Sequence, residues 1–195
     1  MATIAIVYFS GSGHTHLMAE GIAEGVAQVP GMTPDLLRIQ GGQIIDGRFK
    51  DEDFLKKLDS AGGIVFGSPT YMGGVAAQFK AFVDAASYRW FQQAWKNKIA
   101  GGFTHSGSPS GDKQGTLLYL AIHAAQHGMI WVGASEMPDH STGVNRLGSF
   151  MGVMGQSDLD MSGKPAEILP GDRLSAVLYG KRLAEIAQGF KTGAS

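Results

Sequence analysis

Five short apolar runs rich in β-branched residues, alternating with helical patterns, predict a three-layer, doubly wound α/β domain on a five-stranded parallel sheet. Small, glycine-rich turns follow the first, third and fourth runs, and the first of these turns leads straight into a helix. At 195 residues the chain is long enough for one well-buried core and short for two, so residues 1–195 read as a single domain.

The first strand covers Ile4 to Phe9, and the first helix, His14 to Gln28, sets Leu17, Met18, Ile22 and Val26 on one side. Pro34 to Ile39 is the second strand; the helix after it, Asp51 to Leu58, is short and charged. Gly63 to Gly67 makes the third strand, and Ala77 to Ser87 the third helix, where Phe79, Phe82, Val83 and Ala86 recur at i, i+3, i+4 and i+7. Lys98 to Thr104 and Met129 to Gly133 complete the strands. Between them Lys113 to His127 is apolar almost all round and stops at Gly128, placed as a C′ glycine. A last helix from about Asp172 to Phe190 closes the chain. In sheets of this kind ligands bind beyond the carboxyl ends of the strands, at the topological switch point.

That edge carries the three unusual turns. In the first, Ser10-Gly11-Ser12-Gly13-His14-Thr15, glycines allow the amides to turn inward, the helix start adds positive potential, and Ser10, Ser12 and Thr15 add hydroxyls. A phosphate suits it. No Gly-Lys-Ser/Thr follows, which excludes a Walker loop, and His16 stands where a dinucleotide fingerprint needs its third glycine. With Arg38 the first basic residue of the chain, a terminal phosphate held by amides and hydroxyls without a cation matches FMN better than ATP. An N-capped helix after a tight turn explains the same residues. The second turn, Gly67-Ser68-Pro69-Thr70-Tyr71-Met72-Gly73-Gly74, combines a φ-fixing proline with glycines, so amides of Thr70 to Gly74 can meet the edge of a flat ring while Tyr71 or Met72 covers it. The third, Thr104-His105-Ser106-Gly107-Ser108-Pro109-Ser110-Gly111-Asp112, repeats the chemistry and suits a ring and ribityl chain through Thr104, Ser106, Gly107, Ser108 and Gly111.

Composition narrows the chemistry. Zero cysteines remove disulfides, thiolate nucleophiles and iron–sulfur ligation, so redox work needs a bound organic cofactor or another kind of metal site. A net charge of −1 gives no electrostatic case for nucleic acid or an anionic membrane. No run approaches the ~18 apolar residues of a membrane span, and no basic region precedes the first apolar run, so the cytoplasm is the expected compartment.

With these motifs in view, the chain resembles the flavodoxin-like superfamily and, within it, the WrbA-type NAD(P)H:quinone oxidoreductases, over roughly Ile4 to Ile186. The carriers are the first turn, Ser68-Pro69-Thr70 with Tyr71 and the glycines, and His127-Gly128-Met129 followed by Ile-Trp-Val-Gly133. The resemblance implies FMN as cofactor, NAD(P)H as co-substrate and a quinone as acceptor, served in turn at one site by a ping-pong scheme. It also implies a homodimer or homotetramer, His127 beside the reactive face as a polar or proton-supplying group, and a tryptophan, taken as Trp95, reaching a neighbouring subunit's pocket. Two departures stand out: Tyr71 replaces the family's arginine, and Arg146-Leu-Gly-Ser-Phe-Met-Gly replaces a Thr/Gly-rich run.

Other readings of single residues stay open. His127 serves equally as a helix-capping histidine, and His14 with His16 has the spacing of a metal pair without further ligands in reach. Arg48, Arg146 and Arg173 are equivalent candidates for a 2′-phosphate. Positions 134–169 show no helix or strand pattern, and Phe150, Met151, Val153, Met154 and Met161 in them need cover, which points to a pocket wall and an oligomer interface. An electron carrier between proteins is the rival function, disfavoured by the near-neutral charge.

Overall fold

Strand β1 (Ala2–Tyr8) runs through the middle of the sheet because both its faces are apolar: Ile4, Ile6 and Tyr8 enter one core layer, Ala5 and Val7 the other. The computed structural model of the chain describes residues 2–158 and 162–192. After β1 come α1 (His14–Ala27), β2 (Met32–Arg38), a 3₁₀ turn (Gly41–Gln43), a small hairpin of β3 (Ile44–Ile45) and β4 (Arg48–Phe49), and α2 (Glu52–Ser60). β5 (Gly63–Tyr71) turns back as β6 (Gly74–Val75), and α3 (Ala77–Ala85) and α4 (Ser87–Phe91) follow. The chain continues through β7 (Ile99–Ser106), α5 (Lys113–Gln126), β8 (Ile130–Trp131), β9 (Val153–Gln156) and α6 (Pro170–Thr192).

The strand order is β2-β1-β5-β7-β8, with every one of these pairings parallel. In units of full strands this is the doubly wound 2-1-3-4-5 arrangement. The fifth position is shared: β8 pairs with Ile99 and Ala100 at the start of β7, and β9 pairs with Phe103 to Ser106 at its end. Residues 132–152 are therefore an insertion within the edge strand. The expectation of no regular structure in 134–169 is corrected here, since four residues are too short to register as a periodic pattern. Val153 lies in the core and Met151 and Met154 pack against it, whereas Phe150 stays half exposed; Met161 lies outside the described residues.

Helices α1 and α6 cover one face through Met18, Ile22, Val26, Tyr179 and Leu183; α2, α3 and α5 cover the other through Leu55, Phe79, Phe82, Leu117 and Leu120. Asp51 caps α2 by accepting from the Phe54 N–H at 2.9 Å, and α5 ends at a C-cap His127 followed by Gly128 at φ +68°. Among the described residues no helix is long and apolar enough to cross a membrane.

Candidate functional site

The three glycine-rich turns converge on the carboxyl edge. Gly13, at φ +101°, precedes α1 and turns the chain so that the helix start faces the first loop; a side chain is strained there. Ser10 is buried, and its Oγ accepts from the Gly13 and His16 N–H groups, both at 3.2 Å. Ser10 thus shapes the loop from inside. The N–H groups of His14 and Thr15 donate to no described group, and the Thr15 hydroxyl, on a buried residue, also pairs with none. The two N–H groups are orphan donors of a helix N-terminus, a chemistry suited to an anion. Ser12 bonds His14 Nδ1 at 3.0 Å.

A correction concerns charge. The first loop was expected to work without a cation, yet Arg38, at the end of β2, donates to the Ser10 carbonyl at 2.9 Å. Strand order explains it, because β2 lies beside β1 and Tyr8 faces Arg38 in the ladder. The guanidinium adds positive potential behind the loop. His16 does not join a metal pair: it stacks on Tyr8 and shares a 2.6 Å hydrogen bond with its hydroxyl, whose pKa burial pushes up to about 12. His14 stacks on His105 at 4.7 Å, and desolvation pushes the His105 pKa down to about 3, so that ring stays neutral.

The second loop is a tight hairpin. β5 runs on to Tyr71, which pairs with Gly74 of β6, and Met72 and Gly73 turn at φ +49° and +80°. Two left-handed residues in a two-residue turn match the twist of paired strands. Met72 projects fully into solvent and Tyr71 is half exposed. The Tyr71 hydroxyl lies 2.5 Å from where a Cβ on Gly11 would sit, so Tyr71 spans the first and second loops and Gly11 makes room for it. The Thr70 Oγ1 lies 2.8 Å from both Thr104 Oγ1 and Thr116 Oγ1, all three buried. These hydroxyls tie β5, β7 and α5 together, which leaves the expectation for the Thr70 amide untouched. Pro69 is likewise buried within the ladder, opposite His105.

In the third loop the Ser106 hydroxyl donates to the Ser108 carbonyl at 3.3 Å and accepts from the Lys113 ammonium at 2.8 Å. Gly107 offers its carbonyl to Gln156 Nε2 at 3.1 Å. Gln156 and Arg146 anchor the insertion: Arg146 makes a two-pronged contact with the buried Asp172 at 2.9 Å each, and Asp172 also accepts the Gln156 N–H. Between these parts opens a cleft of about 660 Å³, lined by Gly73, by Pro109, Ser110 and Asp112 and by Arg146 to Ser149 among others. That volume is in the range of small-molecule sites. Residues 146–149 of the insertion and Met154 of β9 are among its lining.

Two expected residues are elsewhere. His127 ends α5 and sits beside the start of β7, where Asn97 donates to the Gly128 carbonyl and Ile130 pairs with Ile99. This is the amino edge, opposite the loops. There His127 is buried and stacks on Trp95 at 4.4 Å; its Nδ1 has no partner, and desolvation pushes its pKa down to about 4. Trp95 is itself fully buried and donates to Asp59 at 2.8 Å, so it does not reach outward to another subunit. Within one chain neither residue meets the loops. A turn from a helix into a parallel strand lies at the amino edge, so the place expected for His127 beside the reactive face came from the resemblance and not from its position between α5 and β8. Sequence reasoning does not single out Arg38 and Lys113: Arg38 comes near the first loop through strand order, which the sequence does not show, whereas the helix start at 113 was a signal for Lys113.

Comparisons with known proteins agree with this geometry. Residues 4–143 match the family model for NADPH-dependent FMN reductase. The chain is 40% identical over 195 residues to flavodoxin FldP of Pseudomonas aeruginosa, covering 96% of this chain and 98% of that one. It is 32% identical to an NAD(P)H dehydrogenase (quinone) of Geobacter sulfurreducens, covering 94% and 97% of the two. The crystal structure of a flavodoxin, WrbA-like protein from Agrobacterium tumefaciens superposes with a TM-score of 0.75 at 40% identity, covering 97% and 99%.

Proposed function

As the chain belongs to the NADPH-dependent FMN reductase family, and within it to the flavodoxin-like, WrbA-type proteins, we propose that it is an FMN-dependent NAD(P)H:quinone oxidoreductase. The observation that carries this reading is the set of free donors opening α1, the N–H groups of His14 and Thr15 and the Thr15 hydroxyl, at the same edge of the sheet as the second and third glycine-rich loops. Bound FMN supplies the chemistry of passing electrons between a hydride donor and an acceptor. The protein holds and orients it.

Ser12, Gly13, His14 and Thr15 hold the phosphate, with Ser10 shaping their loop and Arg38 adding potential from behind. Tyr71, Met72 and Gly73 flank the ring on one side, and Gly107, Ser108 and Gly111 on the other. Arg146 and Arg173 are each paired with a carboxylate, Asp172 and Glu24, which leaves Arg48 on the β3–β4 hairpin as the candidate for a nicotinamide 2′-phosphate. The relative named flavodoxin FldP supports a second reading, an electron carrier between proteins. One assay separates them. Purified protein with added FMN is given NADH or NADPH and benzoquinone; steady turnover of either nicotinamide is the expected result, and binding of FMN without turnover favours the carrier.

A further inference from the structure

Lys113 opens α5 directly after the third loop, and its side chain is fully buried. The ammonium donates to Ser106 Oγ at 2.8 Å and to the Ser108 carbonyl at 2.6 Å, and among the described residues no carboxylate pairs with it. A buried ammonium is costly unless its hydrogens find acceptors, so the loop and the cation stabilise each other. The loop's own backbone is poorly suited to hold this shape. Gly111 and Asp112 both stand at positive φ, +54° and +53°, and a Cβ on Gly111 would lie 2.3 Å from Ser106 Oγ. The turn is thus folded back tightly over the lysine.

We propose that Lys113 is a positioning residue for the cofactor site, its ammonium pinning the 106–111 loop in the shape that receives the ring and ribityl chain of FMN. The inference rests on the FMN reading given above. Charged groups from each neighbouring element bear on it: Asp172 of α6 favours the charged form, Arg146 of the insertion opposes it, and His105 of β7 stays neutral. Both oxygens of Asp172 are already bonded to Arg146 and to the Gln156 amide, so its help is indirect. Burial pushes the Lys113 pKa from 10.5 down to about 8. Above that pH the amine has one donor fewer and no charge, and the pin loosens.

The test uses the full chain as wild type and K113M, cofactor-free for deuterium exchange and then titrated with FMN at about pH 7 and about pH 9. In K113M the 106–112 peptide is expected to exchange roughly tenfold faster at pH 7 while α1 is unchanged. FMN affinity is expected to fall roughly tenfold, the effect of losing a charge-assisted hydrogen bond. Wild-type affinity drops towards the mutant's between the two pH values, and that of K113M stays flat. Exchange and affinity in K113M equal to wild type overturn the proposal. If wild type binds no FMN at either pH, the cofactor reading fails, and exchange of the 106–112 peptide alone decides whether Lys113 pins the loop. Should K113M not fold, K113Q, which keeps a neutral donor, is read by the same two outcomes.

Discussion

Ser10 and Thr15 lie in one loop and do opposite things. Ser10 turns its hydroxyl inward to two backbone N–H groups, while the Thr15 hydroxyl pairs with no described group and is the one proposed to meet the phosphate. Thr15→Ala is therefore expected to weaken FMN by about 1–2 kcal/mol and to leave the melting temperature of the cofactor-free protein unchanged. Fluorescence titration and a thermal melt check both halves. His127 gives a second residue-scale prediction. Its pKa falls from 6.5 to about 4 on folding, so in that window the unfolded chain binds the proton that the folded one refuses. The stability concerned is full above about pH 6.5 and is lost as pH falls to about 4, by up to about 3 kcal/mol. His127→Phe keeps a ring against Trp95 and should flatten that part of the pH dependence in urea unfolding, with the loss due to His123 remaining. The sequence supplied the types and spacing of the loop residues well. It did not reveal that the hydroxyls of Thr70 and Thr104 are turned into a buried threonine cluster, because alternation in a strand says which face a residue takes but not how far up the strand a helix covers it.

Among the elements, α1 and α6 pack more closely than their apolar stripes alone convey. A Cβ on Gly25 would lie 1.9 Å from the Val177 carbonyl, and one on Gly180 would lie 2.1 Å from the carbonyl of Ile22. Neither contact can be relieved by a rotamer change, since both partners are backbone. Gly25→Ala is expected to destabilise the fold by about 3 kcal/mol despite alanine's better helix propensity, measured by urea denaturation. The long elements were legible in the sequence: all five principal helices begin and end within about three residues of their expected bounds, helped by apolar stripes such as that of α3 and by stop signals such as Gly128. β9, α4 and the β3–β4 hairpin were not legible. Each has two to five residues, and its conformation is fixed by neighbours, as β9 is fixed by the free half of β7.

For the molecule as a whole, the placement of three loops at one edge follows from strand order, which periodicity does not contain. Once β1, β5 and β7 lie side by side, their carboxyl ends share an edge, and the insertion in the fifth strand adds the outer wall of the cleft. On the proposed function, in which nicotinamide and quinone use one site in turn, parallel double-reciprocal lines are expected in steady-state kinetics; intersecting lines mean that both bind together. We propose that the insertion, which leaves Met137 and Phe150 exposed, is where copies of the chain meet in a dimer or tetramer. Light scattering that finds a stable monomer on dilution removes that role. The central claim is that the opening of α1 grips the phosphate of FMN. Titrating the cofactor-free protein with FMN and with riboflavin, which lacks the phosphate, addresses it most directly. The account predicts FMN binding tighter by roughly a hundredfold, as two charge-assisted hydrogen bonds supply; equal affinities for the two flavins would contradict it.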